Sequence, residues 1–448
     1  MRKPAKPPKY VEMLAMLKDD PDRFSRIVMA ASGPLANGKY YHWDTLRHMT
    51  PPPSLSREDW WFGVKFRRSV LFELVPLLDS QGQPFRFAIV PPIPESLSKT
   101  DQGAGGLIEM PDQVVDPATR ERYVMSSLIR ESITSSQLEG ATTTRREAKD
   151  MLRSGREPQD KSERMIFNNY QTMQRIRENQ KTALTPEFVC EIHRLVTQDT
   201  LDSTSDEGQF RDTSDDIRVY DENGEVMHTP PPASELKLRM AAMCDFANGK
   251  TPDHFVHPVV RAIILHFWLA YDHPFVDGNG RAARALFYWS MLHHGYWLAE
   301  FISISEILLR APAKYARAYL HTESDENDLT YFIIYQLSVI QRAMQSLHDY
   351  IKQKTDGLHQ VEKRLRQLPA LNSRQRQLLA HALRHPRFRY TVESHRVRHG
   401  VVYETGRSDL LDLYHLDLLD GTKEGRTWFF TPSEYLEEKL DRLGSKAG

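Results

Sequence analysis

The segment 273–284 concentrates side chains that could do chemistry. It reads His-Pro-Phe-Val-Asp-Gly-Asn-Gly-Arg, with Arg284 three positions further on. His273 is a base that titrates near neutrality, and Asp277 offers the hard oxygen ligand that Mg²⁺ prefers. Arg281 and Arg284 carry guanidinium forks that suit phosphate oxygens. The segment therefore predicts a site that binds phosphates and a metal ion and takes a proton from an attacking hydroxyl.

A glycine-flanked turn lies in the middle of this segment. Gly278, Asn279 and Gly280 permit unusual backbone angles and a close ligand, so their amides could converge on an anion. A helix is expected to begin around Gly280 to Ala282, with the positive end of its dipole at the same point. Each feature alone is typical of an ordinary turn. All of them within twelve residues indicate a phosphate-binding loop, with Phe275 as its apolar anchor.

The elements around the loop are predicted to be mostly α-helical. Proline residues and helically spaced apolar residues indicate helices that begin near Pro117, Pro186 and Pro258, and another over 282–293. Further helices are expected over 302–350. The loop should therefore connect two helices, and the fold class is mostly α.

One predicted β-hairpin interrupts these helices. Residues 216–220 and 225–228 are β-prone and flank an Asn-Gly turn, in which both residues tolerate positive φ. Ser234 is expected to cap the next helix, which should end at Asn248 and Gly249.

Four regions are expected along the chain. Residues 1–110 form an α-rich N-terminal domain, 111–345 the helical domain with the loop, 346–370 a charged helical linker and 371–435 a C-terminal domain. Within the first region, Ser56 is expected to start a helix, residues 83–90 to form a short strand and residues 102–106 to form a loop.

The segment 273–284 resembles the signature of the Fic family, His-x-Phe-x-(Asp/Glu)-Gly-Asn-Gly-Arg-x-x-Arg, at every fixed position. This resemblance implies a Fic-type helical domain and a protein adenylyltransferase, which moves AMP from ATP onto a Ser, Thr or Tyr hydroxyl of a target protein. By the same likeness, His273 is the general base and Asp277 holds Mg²⁺. The remaining signature residues are implied to bind the nucleotide: Gly278, Asn279, Gly280 and Arg281 around the α- and β-phosphates, and Arg284 at the γ-phosphate.

An upstream segment, Ser-Ser-Gln-Leu-Glu-Gly at 135–140, is by itself a plausible helix end with Gly140 as the stop. It resembles the inhibitory motif of Fic proteins, (Ser/Thr)-x-x-x-Glu-(Gly/Asn). The likeness implies that Glu139 pairs with Arg284 and blocks the γ-phosphate position, while Ser135 holds the helix. The protein is thus similar to the autoinhibited group with an N-terminal inhibitory helix.

The predicted hairpin matches the position of the flap in Fic proteins. The likeness implies that Ile217, Arg218, Val219 and Tyr220 pair with a segment of the target protein. A protein substrate is therefore implied, and modification of the protein itself is an open alternative.

The C-terminal region predicts helices over 373–384, 391–399 and 408–418, then strand-like pieces over 419–430. This order resembles a winged helix-turn-helix. Residues 371–432 hold ten Lys and Arg against seven Asp and Glu. That small basic excess leaves DNA binding and a role in protein docking or homodimer formation both open.

The composition bounds the class of protein. The chain has 59 Lys and Arg against 60 Asp and Glu, and its only cysteines are Cys190 and Cys244. Neither a disulfide framework nor a cysteine-rich metal site follows. The apolar stretch 259–271 is too short to span a membrane. We expect a soluble, cytoplasmic protein without membrane association.

Three alternative functions remain open from the sequence. A Fic enzyme could transfer UMP, phosphate or phosphocholine, because the loop recognises phosphates and not bases. The chain could be a nucleotide-sensing, DNA-binding transcriptional regulator. It could also be a metal hydrolase that uses a histidine cluster of His254, His257, His266 and His273.

Overall fold

The computed structural model describes residues 2–31, 33–105, 117–365, 368, 371–385, 388–425 and 427–445. The chain divides into two compact units, one formed by Met1–Ile108 with Val124–Met344 and the other by Glu109–Tyr123 with Gln345–Gly448. The predicted boundaries at 110 and 370 fall outside the described residues. Within the described residues, every helix is too short or too polar to span a membrane.

The N-terminal part of the first unit combines short helices with a two-stranded antiparallel sheet. Its elements are α1 (Tyr10–Lys18), α2 (Pro21–Ala30), α3 (Trp43–Leu46), α4 (Arg57–Ser69), β1 (Phe72–Leu78), β2 (Pro84–Ala88) and α5 (Ile93–Thr100). Ser56 caps α4 in a capping box with Asp59, as the sequence predicted. The predicted strand is β2.

Two features of this part were missed or wrong in the sequence prediction. Strand β1 was missed; its register is interrupted between Val75 and Leu78, around Pro76, which has no amide to donate. The predicted loop over 102–106 is wrong in part, because Asp101–Gly105 form a π-helical turn that continues α5; Gly106 lies outside the described residues.

Buried polar contacts join this N-terminal part to the segment around Asp325. Lys65 Nζ lies 2.9 Å from Asp325 Oδ1, and both side chains are almost fully buried. Tyr40 donates a hydrogen bond to Asp328 (2.6 Å), and Arg68 donates one to the Tyr331 hydroxyl (2.8 Å). Because a buried charge needs a partner, these pairs fix the N-terminal residues within the first unit.

The helices that carry the predicted site follow along the chain. They are α6 (Pro117–Leu138), α7 (Arg145–Ser154), α8 (Lys161–Glu178), α9 (Pro186–Thr197), α10 (Leu236–Ala247), α11 (Pro258–Asp272), α12 (Asn279–His293), α13 (Ile304–Leu309), α14 (Pro312–Ser324) and α15 (Thr330–Leu365). Nearly all residues of α11 and α12 are buried. The predicted loop connects these two helices, and α12 begins at Asn279, one residue before the expected start around Gly280 to Ala282.

The β-hairpin is present but shorter than predicted, with strands β3 (Val219–Tyr220) and β4 (Val226–His228). The expectation that both turn residues tolerate positive φ is realised only at Gly224. The Asp221 side chain accepts hydrogen bonds from the amides of Asn223 (3.0 Å) and Glu225 (2.9 Å), so a longer turn forms.

The predicted cap of the helix after the hairpin is wrong. Ser234 lies within a 3₁₀ turn (Ala233–Glu235), and α10 begins at Leu236 without a side-chain cap. The predicted end is confirmed, because Asn248 is the C-terminal cap and Gly249 has a φ of 76°.

The second unit contains α16 (Ser373–Arg384), α17 (Val392–His399), α18 (Tyr403–His415), the antiparallel strands β5 (Leu419–Glu424) and β6 (Thr427–Pro432), and α19 (Leu436–Ser445). Helix α18 starts five residues before the predicted 408, and Gly406, in its first turn, lies against the Val392 carbonyl. The order of helices and strands is as predicted. The winged-helix assignment stays a prediction.

Three histidines of the first unit are kept neutral by their surroundings. Burial, with the charge of Arg284, lowers the pKa of His266 to about 3. Burial also lowers the pKa of His42 to about 3 and that of His321 to about 4, and the two rings stack 4.2 Å apart. In an unfolded chain a histidine has a pKa of about 6.5.

We predict that the free energy of unfolding falls as pH is lowered from 6.5 towards 4. In that window the unfolded chain binds protons that the folded protein does not, so stability is complete above pH 6.5 and is lost below it. Replacing His266 by Gln should make this fall shallower by about 1.4 kcal/mol per pH unit. Urea unfolding at pH 7, 6 and 5 measures the free energy of unfolding of wild type and of His266→Gln. An equal dependence on pH in both proteins would contradict the prediction.

Candidate active site

The loop between α11 and α12 is closed by the side chain of Asn279. Its Oδ1 accepts a hydrogen bond from the Phe275 amide (3.0 Å), and its Nδ2 donates to the Phe275 carbonyl (2.8 Å). Phe275 itself is fully buried, as expected of an anchor. The side-chain amide of Asn279 therefore shapes the loop, and the backbone N–H of Asn279 remains available to bind an anion.

Two residues of the loop adopt left-handed backbone angles. His273, which caps α11, has a φ of 44°, and Gly278, which precedes α12, has a φ of 82°. A Cβ on Gly278 would lie 2.5 Å from the Thr197 methyl group. Glycine is required at 278 for both reasons, and the backbone amides at the start of α12 face outwards from the helix without partners in it.

His193 on α9 supports the loop from below. Its ring stacks on Phe275 at 3.6 Å, and its Nε2 donates to the Asp277 carbonyl (2.7 Å). The Gly208 amide donates to its Nδ1 (3.0 Å), which fixes the tautomer. Burial lowers the pKa of His193 to about 4. This residue was not predicted from the sequence, since a single histidine on an apolar helix face gives no signal of its partners.

Arg211 connects the loop to the end of the hairpin. Its backbone amide donates to the Pro274 carbonyl (2.9 Å), and its Nε donates to the His273 carbonyl (2.8 Å). The same guanidinium donates to the Pro231 carbonyl (2.5 Å). The element Gly-Gln-Phe-Arg at 208–211 therefore holds the loop through both Gly208 and Arg211.

His273 has the protonation state that a general base needs. Its Nδ1 lies 3.3 Å from the Ala270 carbonyl, so Nδ1 carries the proton and Nε2 keeps its lone pair. Burial lowers the pKa of His273 to about 4. The imidazole is thus neutral at physiological pH and able to accept a proton.

The two arginines of the segment are both buried but differently partnered. Arg281 donates to the Val196 carbonyl (2.5 Å), whereas its Nε is buried and meets no hydrogen-bond acceptor among the described residues. Burial lowers the pKa of Arg281. A buried cation with an unused donor is costly unless an anion approaches, and this makes Arg281 suited to a phosphate.

Arg284 is held by the end of α6. Its Nε donates to Ser135 Oγ (2.8 Å), and its Nη2 donates to the Ser135 carbonyl (2.9 Å) and to Glu139 Oε1 (2.8 Å). Although burial lowers it, the pKa of Arg284 is raised overall by the charge of Glu139 and the hydrogen bond to it. The sequence prediction thus paired residues that are 145 positions apart.

Glu139 lies directly against the start of α12. It follows the last residue of α6, and Gly140, with a φ of 91°, ends the helix as predicted. A Cβ on Gly280 would lie 2.1 Å from Glu139 Oε1, so the carboxylate occupies the space that a side chain at position 280 would take. The unfavourable position of a glutamate at a helix C-terminus is offset by Arg284.

Asp277 is an exposed residue of the loop, and its Oδ1 accepts a hydrogen bond from the Gly278 amide (2.5 Å). No group of three or more His, Cys, Asp or Glu side chains that could hold a metal occurs in the described part of the chain. A single carboxylate nevertheless fits Mg²⁺, which is commonly bound through one or two carboxylates together with substrate phosphates.

The histidine cluster of the metal-hydrolase alternative is not assembled. His254 contacts Glu73 (3.4 Å), His257 contacts Asp101 (3.1 Å), and His266 lies 2.7 Å from the Tyr315 hydroxyl. These three histidines thus contact different neighbours, and the described part of the chain holds no cluster of the four. The contact of Tyr315 with His266 also places this tyrosine among buried side chains.

The predicted flap residues only partly form a strand. Ile217 and Arg218 precede β3, because Asp212 and Asp215 fold the chain into a side-chain-bonded turn and the Ile217 amide bonds to the Asp215 carbonyl. The other two flap residues, Val219 and Tyr220, form β3, and Tyr220 is exposed. In the described residues, β3 pairs with β4 alone.

Comparison with known proteins agrees with this geometry. Residues 183–291 match the sequence model of the Fic/DOC family. The chain is 33% identical over 114 residues to "Protein adenylyltransferase Fic" of Nematostella vectensis, and the matched residues are 25% of this chain and 24% of that protein. It is 33% identical over 119 residues to the protein of the same name from Drosophila grimshawi, and the matched residues are 26% of this chain and 22% of that protein. The chain thus spans about a quarter of the length of these curated relatives.

The fold also has a solved counterpart. The crystal structure of a Fic family protein from Desulfovibrio desulfuricans G20 superimposes with a TM-score of 0.52 over 78% of this chain and 98% of that chain, at 19% identity. At this identity the likeness concerns the fold alone. Residues 183–291 are therefore similar to the Fic/DOC family, and the fold that contains them is mostly α-helical.

Proposed function

We propose that this protein is a protein adenylyltransferase, which transfers AMP from ATP to Ser, Thr or Tyr hydroxyls of a target protein and is autoinhibited by Glu139. The observation that carries the proposal is the Glu139–Arg284 ion pair, which lies against Gly280 at the start of α12. A neutral His273 lies in the loop that leads into α12. The relatives named as adenylyltransferases support the choice of AMP.

The phosphates of ATP would bind at the N-terminus of α12. Backbone amides at Gly280 and the buried guanidinium of Arg281 offer hydrogen bonds and positive charge there. Asp277 would hold Mg²⁺, which when bound neutralises phosphate charge. The γ-phosphate would take the place of the Glu139 carboxylate on Arg284.

The reaction would be an in-line substitution at the α-phosphorus. His273 Nε2 accepts the proton of the target hydroxyl while its oxygen attacks the α-phosphorus. An oxygen–phosphorus bond forms, the bond from the α-phosphorus to the bridging oxygen breaks, and pyrophosphate leaves. The buried arginines would stabilise charge that develops on the phosphates.

Autoinhibition would follow from competition between two anions for one cation. The Arg284 side chain is 2% exposed, so it cannot bind Glu139 and a γ-phosphate from separate directions in solvent. Glu139, at 28% exposure, is the partner that can leave. ATP would then bind productively only when Glu139 is displaced.

The open edge of β3 would receive the target protein. A target segment that pairs with Val219 and Tyr220 would bring its hydroxyl to the loop by β-augmentation. The hairpin is joined to the loop through His228, whose Nε2 lies 2.7 Å from the Tyr271 carbonyl next to α11's end. Docking at β3 and chemistry at His273 would thus share one support.

We predict that Glu139→Gly increases the rate of AMP transfer by about tenfold or more, because the loss of a buried charge-assisted contact frees Arg284 for the γ-phosphate. Intact-mass spectrometry after incubation with ATP and Mg²⁺ measures the AMP added to the protein itself. The exposed loop residue Glu157, changed to Gly, is the matched control and should label as wild type. Equal labelling of the Glu139 variant and wild type would reject autoinhibition.

We predict that His273→Ala, placed in the Glu139→Gly protein, lowers the labelling rate by about a hundredfold or more, because the base is lost. His254→Ala, which lies outside the loop, should keep the rate of the parent. Labelled ATP, UTP and CDP-choline in parallel reactions identify the transferred group. Labelling that persists without His273 would contradict its assignment as the base. Labelling from UTP or CDP-choline but not from ATP would show that the transferred group is not AMP.

A further inference from the structure

The helix that leads to Glu139 is held at a second place by a buried glutamate. Glu131 on α6 is 2% exposed and lies eight residues before Glu139, about 12 Å along the helix axis. Its carboxylate accepts hydrogen bonds from Ser303 Oγ (2.8 Å), from the Ser305 amide (3.1 Å) and from Ser305 Oγ. We call these three residues the Glu131 anchor.

The anchor joins α6 to the start of another helix. Ser303 is the N-terminal cap of α13, and Ser305 lies in its first turn. A carboxylate at this end is favoured by the exposed amides and by the helix dipole. Thr134, one turn further along α6, adds a contact of 3.3 Å between its hydroxyl and that of Ser303.

This set of bonds specifies one register of α6. Apolar contacts tolerate small shifts, but a buried carboxylate that leaves its donors is strongly destabilising. A shift by one residue would move α6 by about 1.5 Å and rotate it by about 100°. Either change would separate Glu139 from Arg284, which lie 2.8 Å apart.

We propose that Glu131 is a positioning residue for autoinhibition: its bonds to Ser303 and Ser305 set the register of α6 and thereby the contact of Glu139 with Arg284. The inference rests on the proposed function. When Glu139 leaves Arg284, only the C-terminal end of α6 would move, because the Glu131 anchor holds the rest of the helix in place.

The test compares Glu131→Ala and Glu131→Gln with wild type and Glu139→Gly in the AMP-labelling reaction. Glu131→Ala should label about tenfold faster than wild type, since a hydrogen bond to a charged group shifts an equilibrium by about that factor. Glu131→Gln, which keeps one acceptor oxygen, should fall between them. The double variant Glu131→Ala/Glu139→Gly should label no faster than Glu139→Gly, because both changes release the same contact.

A matched control lies on the same helix. Ser132 is fully buried, and its hydroxyl donates to the Leu128 carbonyl within α6. Ser132→Ala therefore removes a buried hydrogen bond without loosening the anchor, and it should label at the wild-type rate. General destabilisation lowers activity, whereas loss of the anchor raises it.

The outcomes separate this inference from the proposed function. If Glu139→Gly is activated while a folded Glu131→Ala labels at the wild-type rate, the inference is overturned and the proposed function stands. If circular dichroism shows that Glu131→Ala is unfolded, Glu131→Gln decides in the same way. If Glu139→Gly is not activated, autoinhibition fails and the inference fails with it.

Discussion

The buried guanidinium of Arg284 needs an anionic partner, and the identity of that partner determines the state of the rest of the site. In this structure the anion is Glu139, supplied by a helix that begins more than 150 residues earlier in the chain and assisted by Ser135. Because the arginine is buried, removing its partner without a replacement would be costly. In the proposed function the γ-phosphate of ATP is that replacement, so substrate binding and release from inhibition become a single exchange.

In the proposed function the loop would bind phosphates, and its shape is fixed by contacts that such a ligand would not use. Asn279 closes the loop through Phe275, His193 supports it from α9, and Arg211 ties it to the hairpin. These contacts leave the amides at the start of α12, the Arg281 guanidinium and the lone pair of His273 for chemistry. In the proposed reaction, such preorganisation would let the protein stabilise developing charge without rearranging.

The sequence predicted what depends on local residues, and it failed where partners come from distant elements. Helices that start at prolines and stop at glycines were correct, and so was the loop between α11 and α12. The pairing of Glu139 with Arg284 was predicted only through resemblance to a family. His193 and Glu131 were missed, because one polar residue on a helix face does not reveal its partner. In the hairpin, the side chain of Asp221 determined the turn, which a rule for Asn-Gly pairs does not include.

Competition between Glu139 and the γ-phosphate for Arg284 can be measured through nucleotide affinity. Isothermal titration of ATP and of ADP against wild type and Glu139→Gly isolates the contribution of the γ-phosphate. We expect the variant to bind ATP about tenfold more tightly than ADP, through a charge-assisted contact with Arg284, and we expect this difference to disappear in wild type. The same ratio of ATP to ADP affinity in both proteins would contradict it.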